Sequence, residues 1–467
     1  MKPIAIIGAG ITGLAAAFEL KRRGLPVRLF EAGGRAGGVI RTIRQNGFLA
    51  ECGPNTLLET DPRIPALVQD LGLADQMLYS DPAAKKRWIV RSGQLVEMPE
   101  SAASFFTGHL FSAKAKARLM GEPFIRRSPP ESDESLADFV VRRLGHEFLD
   151  YAIDPFVGGV YAGDPSRLSV REAFAKVHQL EQRYGSLILG QFLGARERRK
   201  RKTVSKQNAP KVSFTQGLST LPDALAAQLA PDIRYHHGLA SIARTSAGWN
   251  LEFGTPSGPL QREFSTVLVT VPAHVLARVP VRTPARVTFD FLSSIKYAPV
   301  SGLAFGFRRD QISHPLDGFG FLVPSIEKLN ILGAIFGSSL FPNRAPEGHV
   351  TISCFLGGLR SPGLPFQSTG TQIALALQDL DRLLGVCGQP QFLHHCAYPQ
   401  AIPQYEVGYA AIRHAIDDVE SRCPGLFLGG NYRNGISLSD SILNGLNFGE
   451  RLARAAETKP SEHAIAA

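Results

Sequence analysis

The stretch Ile4-Ala5-Ile6-Ile7-Gly8-Ala9-Gly10-Ile11-Thr12-Gly13 decides the fold. A short apolar run, typical of a buried strand, enters three glycines spaced G-x-G-x-x-G, and an Ala/Leu-rich segment typical of a helix follows. In such a turn the first glycine permits a sharp bend, the second lets the backbone approach a pyrophosphate, and the third lets the helix pack on the strand. The helix N-terminus then offers its N–H groups to phosphate. The stretch predicts a dinucleotide site; the alternative is a plain glycine-rich turn.

An acidic residue after the second strand supports the dinucleotide interpretation. Val27 to Phe30 leads into Glu31, 18 residues after Gly13. A carboxylate at about this distance accepts hydrogen bonds from a ribose hydroxyl group. The order of strand, turn, helix, strand and acid therefore predicts an α/β protein with a Rossmann-type domain.

A second glycine turn follows directly, Glu31-Ala32-Gly33-Gly34-Arg35-Ala36-Gly37-Gly38. It resembles the flavin-binding E-A-x-x-R-x-G-G segment of the superfamily of amine oxidases, phytoene desaturases and protoporphyrinogen oxidases. An arginine and further backbone amides there can neutralise a deeply held pyrophosphate. A nicotinamide cofactor, which must come and go, needs no second turn. The resemblance implies FAD as the cofactor.

Length and composition describe a multidomain globular enzyme. A chain of 467 residues, 44% hydrophobic and 20% charged, exceeds one core and predicts two or three domains. No segment approaches the ~20 uninterrupted apolar residues that span a bilayer. Met1 leads straight into the first strand, which leaves no room for a targeting peptide and favours a cytoplasmic protein. The odd number of cysteines shows no metal-site spacing, so we expect reduced thiols and no metal: Cys52, Cys354, Cys387, Cys396 and Cys423.

The net charge of +10 is concentrated in residues 196–207, which carry seven basic residues and one acid. Such a run is either a solvated loop or a surface attracted to anionic phospholipid head groups. Nucleic acid binding is not expected, because no stacking aromatics accompany the run. A second membrane candidate is the segment 101–111, with Phe105, Phe106 and Phe111, for which a buried core is the alternative.

The segments that predict the nucleotide-binding fold are separated along the chain by two insertions. Phe264 to Val271 reads as a buried parallel strand, and Leu426 to Asn431 precedes a long helix. In the second insertion, segments in which apolar and polar residues alternate, such as Gly302 to Phe307, predict an antiparallel sheet. The predicted domains are a discontinuous FAD-binding domain (1–60, 212–273 and 401–458), a substrate-binding domain (61–98 and 274–400), a helical, membrane-facing insertion (99–211) and a disordered tail (459–467).

Five further segments in order carry a closer resemblance: Gly47–Thr56, Asp154–Ser169, Ala173–Ile188, Leu340–Pro346 and Ala401–Tyr405. They are similar to the oxygen-dependent protoporphyrinogen oxidase family and its relatives that oxidise coproporphyrinogen III. The resemblance implies an amine-oxidase-like fold and six-electron oxidation of protoporphyrinogen IX by O2, giving protoporphyrin IX and hydrogen peroxide in the penultimate step of haem synthesis. Coproporphyrinogen III as the substrate, another flavin amine oxidase or carotenoid desaturase, and a non-enzymatic flavin-binding protein are the alternatives.

The same resemblance implies the substrate contacts. Arg87 matches an arginine that pairs with a substrate propionate, and guanidinium suits a bidentate grip on a carboxylate. Phe341 and Leu322 match apolar residues that sandwich the macrocycle. The segment from Gly159 to Gly163 brings backbone carbonyls to the pyrrole N–H groups. Asn55 and Gly159 are the suggested catalytic positions, although Asn55 could simply stabilise its turn. Lys85 and Lys86, beside Arg87, could serve extra carboxylates.

For the flavin, the resemblance implies contacts at both ends of the chain. The implied cofactor-binding residues are Gly8, Gly10, Ile11, Thr12, Gly13, Glu31, Ala32, Arg35, Gly37, Gly38, Gly53, Pro54, Asn55, Leu239, Asn431, Gly435, Ile436, Ser437 and Leu438. Two positions depart from the family pattern: Val39 replaces a frequent basic residue, and Tyr409 replaces a frequent histidine. A homodimer and peripheral attachment to the cytoplasmic face of the inner membrane are further expectations from the family.

Overall fold

The computed structural model describes residues 2–191, 193 and 209–457. The basic run at 196–207 and the tail at 459–467 lie outside these residues. Within the described ranges, no helix combines the length and apolar character that crossing a membrane requires.

The strands, labelled in chain order, are β1 (Ile4–Ile7), β2 (Val27–Phe30), β3 (Arg41–Gln45), β4 (Phe48–Cys52), β5 (Leu57–Leu58), β6 (Met77–Tyr79), β7 (Lys86–Arg91), β8 (Gln94–Glu97), β9 (Lys211–Phe214), β10 (Ile233–Arg234), β11 (Gly238–Arg244), β12 (Trp249–Thr255), β13 (Gly258–Phe264), β14 (Val267–Val269), β15 (Val281–Arg282), β16 (Tyr297–Arg308), β17 (Gly318–Leu322), β18 (Ile331–Phe336), β19 (His349–Gly357), β20 (Phe392–Pro403) and β21 (Leu426–Leu428).

The α-helices are Ile11–Arg22 (the first helix), Arg63–Asp70, Ala102–Thr107, Ala113–Met120, Leu136–Arg143, His146–Phe148, Asp154–Tyr161, Val170–Ala173, Ala175–Tyr184, Thr220–Gln228, Ala273–Leu276, Gly337–Leu340, Thr369–Leu384, Tyr409–Arg422, Asn431–Asn434 and Leu438–Glu457 (the long C-terminal helix). Leu149–Ile153 is a π-helical turn. Short 3-10 turns are Ala74–Gln76, Glu122–Phe124, Ala230–Asp232, Asp290–Ser294, Arg309–Gln311, Ser325–Glu327 and Leu364–Phe366.

A five-stranded sheet in the order β10-β2-β1-β14-β21 forms the nucleotide-binding part. All four strand pairs are parallel. Every residue of β1 is buried and apolar, as expected for a strand covered on both faces. The predicted α/β fold is therefore confirmed, and the strand expected within 264–271 is β14.

The first helix and the long C-terminal helix pack against each other at very short range. A Cβ atom on Gly445 would lie 2.4 Å from the Thr12 carbonyl oxygen, and one on Gly449 would lie 2.6 Å from the Glu19 Cβ atom. Only glycine permits this approach. The two helices, distant in sequence, therefore cover one face of the parallel sheet together.

A seven-stranded sheet in the order β20-β16-β19-β18-β17-β7-β8 forms the second layer. Its pairs are antiparallel, as predicted for this region, except β17 and β7, which are parallel. Strand β9, predicted as a return to the nucleotide-binding fold, pairs with β5 and β6 in a three-stranded sheet, and its Val212 and Phe214 belong to the same hydrophobic core as β1 and the first helix.

The helical segments between 101 and 190 surround a buried ionic cluster. Arg143 is fully buried, with its guanidinium nitrogens 3.0 Å from a Glu122 carboxylate oxygen and 3.3 Å from one of Glu181. Of the three phenylalanines in 101–111, Phe111 stacks on Phe148 with ring centroids 4.4 Å apart, whereas Phe106 is 50% exposed. Part of that segment is therefore core.

Candidate active site

The first glycine turn has the geometry that its spacing predicts. Gly8 has a φ of +101°, and its N–H donates to the Phe30 carbonyl over 2.8 Å. A Cβ on Gly13 would lie 2.0 Å from the Gly8 carbonyl oxygen, whereas a Cβ on Gly10 would meet nothing within 4 Å. Gly10 caps the first helix without any side chain bonding its N–H groups. The helix N-terminus therefore presents backbone donors toward open space.

Glu31 stands at the carboxyl end of β2 and closes this turn. One carboxylate oxygen accepts from the Ala9 N–H over 2.9 Å and the other from the Gly33 N–H over 2.8 Å. The segment before β11 runs alongside, because the His237 N–H donates to the Glu31 carbonyl over 2.8 Å. Leu239, two residues later, thus lies at the same edge as Glu31 and Ala32.

The second glycine turn is bonded to the first. The Gly37 N–H donates to the Ala9 carbonyl over 2.8 Å, and a Cβ on Gly38 would lie 3.4 Å from the Gly10 Cα. Arg35 is exposed, and its guanidinium donates to the carbonyls of Ala36 and Ile40 over 3.0 and 3.2 Å. In this structure Arg35 holds the shape of its own loop. Its predicted contact with a pyrophosphate stays a prediction.

The turn before the long C-terminal helix is the third part of the candidate cofactor site. Gly430 and Gly435 have φ values of +134° and +116°. The Tyr405 hydroxyl donates to the Asn431 carbonyl and accepts from the Gly435 N–H over 2.9 Å. Tyr405 therefore fixes the backbone directly before the last three predicted cofactor-binding residues, which are Ile436, Ser437 and Leu438.

Tyr409, where the family frequently has histidine, is a buried structural residue. Its hydroxyl donates to the Tyr432 carbonyl. Burial is the main cause of its raised pKa, followed by neighbouring tyrosines. The neutral phenol therefore persists and serves packing rather than proton transfer.

Where β7 and β9 begin, two cations lie over one aromatic ring. The Arg87 guanidinium carbon is 5.7 Å from the Phe319 ring centroid, and the Lys211 Nζ is 5.9 Å from it. Burial lowers the pKa of Arg87, which Glu100 partly offsets. Burial and then the neighbouring Arg87 lower the pKa of Lys211. By contrast, Lys86 forms an ion pair of 2.6 Å with Asp317.

A cavity lies between the β3–β4 hairpin and the seven-stranded sheet, and it brings Asn55 and Phe341 together. The Asn55 side chain donates to the Gly53 carbonyl over 3.3 Å, which agrees with a turn-stabilising role. Phe341 is 3% exposed, with the buried Arg344 guanidinium 5.1 Å from its ring centroid. Glu51 also lines the cavity, and burial raises its pKa despite hydrogen bonds from Thr42 and Leu218.

The predicted glycines of the segment 159–163 lie against residues in or next to the seven-stranded sheet. A Cβ on Gly159 would lie 2.4 Å from Leu322 Cδ2, so these two predicted contacts are neighbours. A Cβ on Gly163 would lie 2.4 Å from the Gln404 Oε1. Gln404 in turn donates to the Tyr161 carbonyl over 2.8 Å. The backbone of the segment is therefore held close to the sheet, as glycine allows.

The expectation that all cysteines are reduced is wrong for two of them. Cys52 in β4 and Cys396 in β20 form a disulfide with a Cα–Cα distance of 6.2 Å across 344 residues. Their separation along the chain hid the pair from any spacing argument. His394 lies beside the two sulfurs, and Cys354, Cys387 and Cys423 are free.

Comparisons with known proteins agree with this geometry. Residues 11–448 match the family described as flavin containing amine oxidoreductase. The chain belongs to this family. It is 35% identical over 470 residues to protoporphyrinogen oxidase 2, chloroplastic/mitochondrial, of Arabidopsis thaliana, covering 95% of this chain and 92% of the relative. Coproporphyrinogen III oxidase of Bacillus subtilis (strain 168) is 28% identical, with 95% and 96% covered.

The fold is also found in solved structures. A crystal structure from Exiguobacterium sp. 255-15 has a TM-score of 0.80 at 24% identity and covers 97% of this chain and 99% of that one. A putrescine oxidase variant has a TM-score of 0.70 at 16% identity, with 97% and 98% covered. At these identities the likeness shows the amine-oxidase-like fold alone.

The protein is a flavin-dependent oxidoreductase whose cofactor is FAD, and the residues present fit that group. The open space at Gly10 and the uncapped helix N-terminus can receive a pyrophosphate. The Glu31 carboxylate stands at the strand end where a ribose is bound. The individual contacts inferred from the sequence stay predictions.

The sequence analysis assigned no role to two residues that fix the glycine turns, Thr270 and Tyr405. Thr270 follows β14, and its hydroxyl donates to the carbonyls of Ile7 and Gly8 over 2.9 and 3.0 Å, which fixes the first glycine turn. Its position after a central parallel strand was a signal that could have found it. Tyr405 lies in the segment Ala401–Tyr405 that carries the family resemblance, but its contact with Gly435 joins residues far apart along the chain, so its role could not be derived from the pattern.

Proposed function

We propose that this chain oxidises protoporphyrinogen IX to protoporphyrin IX, with O2 as the acceptor and hydrogen peroxide as the other product, in the penultimate step of haem synthesis. The observation that carries the proposal is the 35% identity, over 95% of the chain, to an enzyme named protoporphyrinogen oxidase. Oxidation of coproporphyrinogen III is the second candidate, favoured by the coproporphyrinogen III oxidase that is similar over 95% of the chain.

The site suits a large apolar dianion. When bound, FAD supplies the redox chemistry by accepting electrons from the substrate. The chain itself orients the macrocycle: Arg87 can grip a propionate bidentately, because among the described residues it has no carboxylate within 4 Å. Phe341 and Leu322 supply apolar surface that excludes water. Asn55 and the backbone at Gly159 are the groups proposed to polarise the reacting ring.

The test is turnover of a chemically reduced porphyrinogen. The FAD-loaded protein should convert colourless protoporphyrinogen IX into fluorescent protoporphyrin IX in air, and kcat/KM is compared with that for coproporphyrinogen III. Absence of porphyrin formation would overturn the proposal, and a large preference for the tetracarboxylate would establish the second candidate instead.

Arg87→Met provides the matched variant. Loss of a charged hydrogen bond costs about 1.5–3 kcal/mol, so KM should rise about 10- to 150-fold. Lys86→Met is the control, because the neighbouring Lys86 is already paired with Asp317. An equal KM in both variants would contradict the assignment of Arg87.

We also propose that the helical insertion at 99–211 touches an anionic membrane surface from the cytoplasmic side and that the protein is a homodimer. Phe124 is 91% exposed, and Met120 and Phe106 are 64% and 50% exposed, all within this insertion. Apolar side chains grouped on one segment suit interfacial attachment. Co-sedimentation with phosphatidylglycerol vesicles tests the membrane contact, and sedimentation velocity tests the homodimer. The triple variant Phe106→Ser, Met120→Ser and Phe124→Ser should lose vesicle binding only.

A further inference from the structure

Lys211 reaches the substrate side from an element different from that of Arg87. Arg87 lies on β7 of the seven-stranded sheet, and Lys211 opens β9 of the three-stranded sheet. Phe319 lies close to both because the β17–β7 register shifts between Gly318 and Gly320, which leaves Phe319 as an extra residue. Such bulges re-aim a side chain. Two sheets and one bulge thus bring two cations to one ring.

The charges at this point are not balanced by the protein. Among the described residues, neither Arg87 nor Lys211 has a carboxylate within 4 Å, although both are half-buried. The other cations of β7 are paired, Lys86 with Asp317 at 2.6 Å and Arg91 with Glu147 at 2.7 Å. Exposed Glu100 is the acid that acts on both from farther away, and Lys85 adds repulsion at Lys211.

Such an arrangement costs stability unless an anion joins it. Half-buried like charges repel each other and lose hydration, and burial lowers the pKa of both groups. A guanidinium and an ammonium side by side match two carboxylates, since one is a planar fork and the other a compact point charge. The apolar ring of Phe319 beneath them suits the attached methylene groups.

We propose that Lys211 is a second carboxylate-binding residue, which together with Arg87 holds the two propionates of the porphyrinogen over Phe319. This inference rests on the proposed function for the identity of the ligand. The chemistry recognised is a pair of neighbouring carboxylates on an apolar disc.

The test compares Lys211→Met, Lys211→Arg and the control Lys86→Met in the FAD-loaded protein. For Lys211→Met we expect KM for protoporphyrinogen IX to rise about tenfold or more, with kcat within about twofold and an unchanged FAD content. Lys211→Arg should restore most of the affinity, and Lys86→Met should behave as the parent. An unchanged KM, or a joint loss of kcat and FAD, would overturn the proposal.

Equilibrium binding separates this inference from the proposed reaction, because it requires no turnover. The probes are protoporphyrin IX and its dimethyl ester, followed by fluorescence. The parent protein should prefer the diacid, and Lys211→Met should reduce that preference about tenfold, since Arg87 still binds one carboxylate. Equal affinity of the parent for diacid and ester would refute the carboxylate site, whereas a preference without turnover would refute only the proposed reaction.

Discussion

Gly10 and Gly13 belong to the same turn, but replacing each by alanine should have a different effect on the protein. Gly13 touches the protein, because its Cβ would lie 2.0 Å from the Gly8 carbonyl oxygen and 2.9 Å from the Thr270 hydroxyl. Gly10 touches nothing within 4 Å, and its φ of −67° and ψ of 171° suit alanine. The pair therefore separates packing of the fold from room for the cofactor.

The magnitudes follow from these distances. Gly13→Ala forces the helix away from the turn, and overpacking of this kind lowers the free energy of unfolding by about 1–3 kcal/mol. Gly10→Ala should change that free energy by less than about 1 kcal/mol in the FAD-free protein, since lower chain entropy and a poorer N-cap oppose each other. With FAD, however, the new methyl group stands where the pyrophosphate approaches. The same overpacking range, about 1–3 kcal/mol, then raises the Kd for FAD about 5- to 150-fold.

The assay combines urea unfolding of the FAD-free proteins with titration of FAD by flavin fluorescence. Gly10→Ala should lose FAD affinity at parental stability, and Gly13→Ala should lose stability. Parental FAD affinity in Gly10→Ala would refute the position assigned to the pyrophosphate. Parental stability in Gly13→Ala would refute the packing argument.

Three further outcomes are expected. Glu31→Gln should weaken FAD binding about 10-fold or more, because the ribose loses a charged acceptor; calorimetric titration checks this, and an unchanged Kd would contradict it. Of the five cysteines, three should react with a thiol reagent in the denatured, unreduced protein and all five after reduction, since Cys52 and Cys396 are bonded; five reactive thiols without reductant would speak against the bond. Burial raises the pKa of Glu51, so the folded state retains this proton more tightly and loses stability as the pH rises through that pKa. Glu51→Gln should therefore gain stability relative to the parent as the pH rises above the ordinary glutamate pKa of about 4.3, measured by unfolding of the FAD-free proteins, and a gain that shrinks with pH would reverse the sign of the argument.

The nucleotide-binding part was predictable because its chemistry is local. The roles of Gly8 and Gly13 depend on the backbone within one turn, and the distance to Glu31 is set by one helix and one strand. A continuous apolar run such as β14 likewise predicts a buried parallel strand. For these elements, the spacing of residues along the chain largely determines their positions in space.

The rest of the site depends on contacts between distant segments. Tyr405 fixes the turn at Asn431 and Gly435 from the segment that follows β20, and Cys52 bonds to Cys396 across 344 residues. β9 pairs with β5 and β6, which lie much earlier in the chain, and its apolar pattern alone identifies neither partner. Lys211 reaches Phe319 only through a register shift, which no pattern of residue types encodes.

The contact of the long C-terminal helix with the first helix has a consequence for biosynthesis. Gly445 and Gly449 pack on residues near Thr12 and Glu19, and β21 is the edge strand next to β14. While the ribosome is still translating these late elements, the amino-terminal half of the sheet stands uncovered. We therefore expect stable flavin retention to come late, and a chain truncated before Leu438 to expose apolar residues that the C-terminal helix otherwise covers.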